Sequence, residues 1–564
     1  MSFTRNNLSI IGKLLPNHYR QCLRKRSTLT FGDDFITKIG LEVHAQINAT
    51  SKLFSRSCND YNNPPNSGVS LFDASIPGTL PIINRYCVEA TVKSGLALNC
   101  SINEKCFFDR KHYFYPDSPN GYQITQKCEP IATGGAISFV VPKTKTRDIE
   151  IKRVSLKQIQ LEQDTGKTLK DIKSGAVYID LNRCGVGLME FVFEPELYNH
   201  LEAYYLVKEL INILKRIDTC SCKMEEGALR IDANVSVSPV NGPPGNRIEL
   251  KNLNSLQSLT KGLEFEIMRH LESLKKGLLV PSETRFYDPV RKKTFPMRDK
   301  DNVEDYRYLP EPNLPPLKLT KETNQSDTND DNDQVISIVA IEKTIPSLPE
   351  KERDILINDY KLSIETSHLI VENNLFPFYV STMNLNPVYT TAMIGTFIAR
   401  ELAAILNDNR VKIEETTITG QFILDTFDLA EKGVITMNIV QDIINLAVNG
   451  DKRPAREIVK EHGWWLVQNE QLITEKCLIV VDSSPIAAYN AKRGNHFSLD
   501  WLTEKFIKES NLKTTKNVIR STIRLILEGR EMKELKKLAI KAEKQLKDGE
   551  DFIIRSKIGG REVD

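Results

Sequence analysis

The sequence predicts an α+β domain over residues 34–318, followed by an all-α helical domain and a small α-helical tail domain. Three observations carry this. Short β-type runs punctuated by Gly, Pro and Asn, without regular strand–helix alternation, fill residues 35–316. The Pro-rich run Leu309–Pro316 and the polar stretch Lys321–Gln334 have little to bury, which places a linker at 319–336. From Pro346 onward the apolar residues recur at helical spacing, as in Phe422–Glu431 and Ile439–Val448. A chain of 564 residues is also too long for one core, and about three domains are expected.

The first element is residues 1–33. Met1–Phe31 holds six basic residues (Arg5, Lys13, Arg20, Arg24, Lys25, Arg26) and no acid, with Ser, Thr and Leu between them. That is the composition of a mitochondrial transit peptide, shared with any disordered basic arm. The expected location is the mitochondrial matrix. Of the formal +2 the leader supplies +6, so the remainder is at −4 and a nucleic-acid partner would need a local basic patch. The clearest such patch is Lys505–Lys547, with thirteen basic against five acidic residues on a helical pattern. Charge alone fits a solvated face as well as phosphate contact. The helical remainder is divided at 337–413 and 414–564, the second being the tail with a basic C-terminal extension.

No apolar run approaches the length that spans a bilayer, so no integral membrane insertion is expected. The ten cysteines form no C-x2-C pair, the usual spacing of a structural zinc, and fit a reducing compartment.

Chemistry-bearing residues concentrate in the α+β domain. Within Phe35–Ile47 the apolar Ile39, Leu41, Val43 and Ile47 alternate with Glu42, His44 and Gln46, so a strand puts the last three on one face. A carboxylate and an imidazole two residues apart are able to converge on one cation, although an ordinary half-exposed strand gives the same pattern. Gln158–Lys167 gathers oxygen ligands just before a turn. In Gly187–Phe193, Glu190 shares a face with Leu188 and Val192, and a carboxylate on such a surface must be paired, neutralised or metal-bound. Phe108–Asp117 packs Arg110, Lys111 and four aromatics together, suiting a phosphate beside a stacked base or an aromatic cluster with basic rims. Lys223–Val237 offers Arg230, Asp232 and Asn234 on one polar face.

These segments resemble one family, the B-type subunits of the tRNA-dependent amidotransferases, in their mitochondrial glutamyl-tRNA(Gln) form. The resemblance rests on I-G-L-E-V-H at Ile39–His44, S-K-L-F at Ser51–Phe54, P-G-T-L-P at Pro77–Pro81, F-D-R-K-H-Y-F-Y-P-D at Phe108–Asp117 and G-Y-Q-I-T-Q at Gly121–Gln126. It continues with D-L-N-R at Asp180–Arg183, M-E-E-G-A-L-R-I-D-A-N at Met224–Asn234, E-L-K-N-L-N-S at Glu249–Ser255 and D-Y-R-Y-L-P-E-P at Asp305–Pro312. The motifs run in family order across most of residues 39–316.

The resemblance implies a cradle-like catalytic domain, a helical domain and a tail that holds tRNA. It implies an ATP-dependent ligase, a glutamine-hydrolysing glutaminyl-tRNA synthase, that uses ATP and Mg²⁺ to phosphorylate the glutamate of mischarged Glu-tRNA(Gln) before ammonia displaces the phosphate. Implied partners are an A-type amidase that supplies ammonia from glutamine and a small third subunit, C-type or fungal F-type. No P-loop signature is present, so phosphates must be held otherwise. On this reading Glu42, His44 and Glu190 hold Mg²⁺ with Gln163 at a fourth position. Arg110 and Lys111 serve phosphate or the amine path, with Tyr113 and Arg230 on the nucleotide side, and Asp232 joins Glu42, His44, Glu190 and Lys111 in the chemistry.

The chain departs from the family at several places. Where H-M-E-E-D-A-G-K is common it reads Gln160-Leu-Glu-Gln-Asp-Thr-Gly-Lys167, and where P-K-[GA]-Y is common it reads Pro119-Asn120-Gly121-Tyr122. One anion and one cation are lost together, which suggests that Gln163 and Asn120 face each other as an amide pair in place of a charge pair. Ser55, Ser57, Ser70 and Asp73 stand where many bacterial relatives have zinc cysteines, so no structural zinc is expected. The alternative reading, favoured by Gln160 and Gln163, is a non-catalytic tRNA-binding and assembly subunit of the same complex.

Overall fold

The computed structural model describes residues 34–142, 148–171, 173–297, 306–321, 335–385, 387–465, 470–510 and 514–547. The expected leader lies outside them, as does most of the expected linker. The chain divides into two compact units, Met1–Ile355 and Leu356–Asp564.

The first unit is built on a ten-stranded sheet. In chain order its strands are β1 (Phe35–Gln46), β2 (Ser101–Ile102), β3 (Ala132–Thr133), β4 (Ala136–Val141) and β5 (Glu150–Gln163). Then come β6 (Gly187–Phe193), β7 (Leu229–Pro239), β8 (Ile248–Leu253), β9 (Thr284–Asp288) and β10 (Lys293–Pro296). They lie in the order β10-β9-β8-β7-β1-β6-β5-β3-β2, with β4 paired to the first half of β5. All neighbours are antiparallel except β8 and β9. Strands and helices are thus mixed without regular alternation, as the α+β reading of the sequence has it, and β1 sits at the centre of its sheet.

The two faces differ because the strands alternate. Along β1 the side chains of Ile39, Leu41, Val43 and Ala45 are fully buried, and along β7 Leu229, Ile231, Ala233, Val235 and Val237 match them. A fully buried Ile, Leu or Val contributes about 1.5–3 kcal/mol, so this face must be covered. Three helices cover it: α1 (Arg85–Ala97) on β5 and the short β2 and β3, α2 (His200–Arg216) on β4, and α3 (Leu256–Lys275) on β7, β8 and β10. Each starts at a residue whose side chain accepts backbone N–H bonds, Asn84, Asn199 and Ser255. The other face, carrying the even-numbered residues of β1, β6 and β7, is left for polar groups.

Several polar groups are buried on the helical side, Glu202, Glu209 and Glu266 among them. Glu266 of α3 is fully buried against Arg269 at 2.7 Å and Arg285 at 2.9 Å. Burial alone would raise its carboxyl, but bonds from His270, Arg269 and Thr294 outweigh that and pull it down to about 2 from 4.5. A depressed carboxyl stabilises the fold above its unfolded value and loses that contribution as pH falls from about 4.5 towards 2. Acid unfolding of the wild type should therefore steepen across that window, and Glu266→Gln should flatten it; parallel profiles would count against this assignment.

The second unit is helical. Five of its helices begin at Ser or Thr caps, Ser363, Thr390, Thr419, Thr436 and Thr515, each accepting from the third residue on. One core collects residues from Leu356 to Val459 and another from Ile473 to Ala539. The division expected at 413/414 thus falls inside one core, since Ile413 and Ile418 both belong to it. The ends of the expected linker also pack: Leu319 pairs with Ile336, and both join the first unit's core. Two strand-length apolar stubs flanking a polar run are enough to make a pairing that composition hides. No described helix is long and apolar enough to cross a membrane.

Candidate cation and phosphoryl-transfer site

The polar sheet face is assembled by register. Across β1 and β6, His44 stands opposite Glu190, and across β6 and β5, Glu190 stands opposite Gln160. Across β1 and β7, His44 faces Arg230 and Glu42 faces Asp232. Since alternate residues share a face, Gln158, Gln160 and Glu162 of β5 point to the side of His44 and Glu190, whereas Gln163 points away.

His44, Glu162 and Glu190 form a cluster whose ligand atoms all lie within 4.8 Å of one another. His44 Nε2 is 3.9 Å from Glu190 Oε1. Glu162 is buried, and its Oε2 has no hydrogen-bond partner although Lys111 Nζ lies 3.5 Å away. Burial, and next the charge of Glu162, push the Glu190 carboxyl above its ordinary range, against the pull of His44 and Lys111. A buried carboxylate crowded against a half-buried one, with one imidazole beside them, is a set whose repulsion a cation relieves. The donors are hard oxygens with one nitrogen, a set that suits a hard divalent cation such as Mg²⁺.

The expected fourth ligand and the first are placed differently. Gln163 is buried on the opposite face, where its Oε1 accepts from Ile124 N–H at 3.3 Å, and Glu162 takes the position assigned to it. Among the described residues no hydrogen bond joins Gln163 to Asn120, so the amide pair expected there does not form. Glu42 lies one same-face step along β1, roughly 6.6–7 Å away at the backbone. Its carboxylate accepts from Asn234 Nδ2 at 3.1 Å and is not in the cluster.

The cations are also engaged. Asp109–His112 pairs with Tyr122–Thr125 as a hairpin, and Leu309–Pro310 adds a third strand. This strand brings Tyr306 to a ring position 5.2 Å from Lys111 Nζ. Burial lowers the Lys111 ammonium, but Glu162 and then Glu190, Tyr308 and Tyr306 raise it further, so it stays charged. Tyr113 packs edge-on against Tyr115 and Tyr306, and burial raises its phenol. Arg230 donates to Asp164 at 2.8 Å, which holds its guanidinium up, and Asp164 also meets Arg183 at 3.5 Å. Asp232 accepts from Asn252 N–H at 3.2 Å and lies 3.9 Å from Lys251, a lysine that the sequence reading left without a role.

Arg110 is the clearest reassignment. It makes two bonds to the buried Glu311, at 2.6 and 3.0 Å, and lies over the Tyr122 ring at 4.3 Å. Its fork is spent on anchoring the third strand, so it is not free for phosphate. Arg110→Met is expected to lower stability by about 2–3 kcal/mol in urea unfolding while leaving the KM for ATP nearly unchanged. A large rise in KM at unchanged stability would return it to phosphate.

At the segment that carries Ser55, Ser57, Ser70 and Asp73, where no structural zinc is expected, Lys52 and Asp73 are both fully buried and 3.2 Å apart. Ser55 Oγ and Ser70 N–H donate to the same Asp73 oxygen, at 3.1 and 2.9 Å.

Residues 37–325 match the family model described as the GatB/GatE catalytic domain, and residues 387–544 match the GatB domain. A Homo sapiens protein named as the B-type subunit of mitochondrial glutamyl-tRNA(Gln) amidotransferase is 41% identical over 81% of this chain and 82% of its own length. The Danio rerio protein of that name is 40% identical over 84% and 86%. An Ehrlichia chaffeensis protein named as the B-type subunit of aspartyl/glutamyl-tRNA(Asn/Gln) amidotransferase is 35% identical over 88% and 98%. The motifs, the sheet that aligns them and these matches lead to one conclusion: the chain belongs to the GatB family, the B-type subunits of the tRNA-dependent amidotransferases.

Proposed function

We propose that this chain is the subunit that activates the glutamate of mischarged Glu-tRNA(Gln) with ATP and passes it to ammonia, forming Gln-tRNA(Gln) for translation in the mitochondrial matrix. The observation that carries the reading is the cluster of His44, Glu162 and Glu190 with Lys111 beside it on one polar sheet face. In the reaction the glutamate carboxylate oxygen attacks the γ-phosphorus of ATP and ADP leaves. Ammonia then attacks the acyl carbon, phosphate leaves, and a proton is lost to give the amide. Phosphoryl transfer of this kind is mostly positioning and charge neutralisation.

His44, Glu162 and Glu190 would hold a divalent cation, which when bound neutralises phosphate oxygens. Lys111 presents a fixed positive charge beside the carboxylates, and its aromatic neighbours Tyr306 and Tyr308 shield it from water. Arg230 is oriented by Asp164 at the edge of the same face. An amidase partner would supply the ammonia, with a small third subunit completing the assembly, and the basic tail would meet tRNA phosphates. The non-catalytic reading drew on Gln160 and Gln163, and Gln163 stands outside the carboxylate cluster, which weakens it.

The test is an assay of the assembled complex with ATP and free ammonium, comparing Glu-tRNA(Gln), Asp-tRNA(Asn) and no tRNA. ATP turnover that requires Glu-tRNA(Gln) is expected. Turnover indifferent to the aminoacyl-tRNA would overturn the reading, and turnover with Asp-tRNA(Asn) alone would redirect it.

A further inference from the structure

We propose that Gln160 is a positioning residue for Glu190, at the site end of a seam of four buried glutamines that ties the Lys111 hairpin to the sheet. The proposal rests on the cation reading above. The strand Tyr122–Thr125 runs beside β5, yet among the described residues no strand pairing joins the two. Amide side chains join them instead. Gln123 Nε2 donates to the Gln163 carbonyl at 2.7 Å, and Ile124 N–H donates to Gln163 Oε1 at 3.3 Å. Leu161 N–H donates to Gln126 Oε1 at 3.1 Å, and Gln160 Nε2 donates to Thr125 Oγ1 at 3.2 Å. Gln123, Gln126, Gln160 and Gln163 are all buried.

Gln160 differs from the other three because its Nε2 also donates to Glu190 Oε2, at 2.7 Å. Its Oε1 in turn accepts from Gln158 Nε2, so both ends of the amide are engaged. With Oε2 of Glu190 taken, Oε1 is the oxygen left towards His44. The amide thereby selects which carboxylate oxygen meets a cation. Thr125 lies on the strand paired with the Lys111 strand, so one side chain fixes the carboxylate and the ammonium relative to each other. An amide suits this place because it donates and accepts without charge. A carboxylate there would confront Glu190, and an apolar side chain would leave Glu190 Oε2 and Thr125 without that donor.

The experiment uses Mn²⁺ as a probe of the assembled amidotransferase, with bound ion counted by electron paramagnetic resonance and unfolding followed in parallel. Gln160→Met is expected to weaken Mn²⁺ binding about 10- to 100-fold, the usual effect of losing a group that orients a metal ligand. Gln163→Met removes a seam bond without touching Glu190. It should cost comparable stability and leave Mn²⁺ affinity within about 3-fold of wild type, well short of the loss of an orienting group. Equal affinity losses in the two variants, or none in Gln160→Met, would overturn the positioning role. A wild-type complex whose Mn²⁺ binding ignores Glu190→Gln would instead remove the cation reading itself.

Discussion

Glu162→Gln is expected to lower ATP-dependent conversion of Glu-tRNA(Gln) by about 10³-fold, equivalent to about 4 kcal/mol of transition-state stabilisation. The residue is buried, one of its oxygens lacks a hydrogen-bond partner, and it is the nearest carboxylate to Lys111. The substitution keeps the shape and removes the charge, so the cluster loses an anionic ligand and Lys111 loses its closest counter-charge. Unfolding should accordingly weaken as well, which makes a single-turnover rate at saturating ATP the proper measurement. Glu42→Ala is the comparison: with its carboxylate on Asn234 and outside the cluster, it should lose less. A greater loss in Glu42→Ala than in Glu162→Gln would restore the ligand set read from the sequence.

Lys52→Met carries the largest expected effect on stability, about 3–5 kcal/mol, because it strands Asp73 as an uncompensated buried charge. One oxygen of Asp73 already lacks a partner, so nothing nearby takes up the missing bond. The double variant Lys52→Met/Asp73→Asn should recover part of the loss, since an amide is cheaper to bury than a carboxylate. Urea unfolding reads both. A harmless Lys52→Met would mean that the segment is held in another way.

Much of the architecture could be read in advance because it is local. The alternation in Phe35–Ile47 marks β1 and both its faces, and the turn to helical spacing marks the second unit. Glu190 and His44 were legible for the same reason, each being a titratable group on an alternating strand. What failed was parity and distance. Choosing between Glu162 and Gln163 requires knowing which face of β5 meets β6, and a shift of one residue reverses the answer. Arg110 looks free until Glu311, 201 residues away, is placed beside it. The cores behave likewise: Ile413 and Ile418 straddle an expected boundary but fall in one core, because apolar contacts respect volume and not composition.

The strand Leu309–Pro310 also sets a timetable. Its partner Arg110 precedes it by about 200 residues, whereas β5 and β6 meet across a short connection. Long closures come late in folding, since their entropy must be spent before their contacts form. During synthesis, a chain released only as far as β10 is therefore expected to hold its carboxylates and Lys111 without the tyrosines that wall them in. The site would thus be built open and shut last, and a nascent chain would carry the chemistry's residues before it could shield them from water.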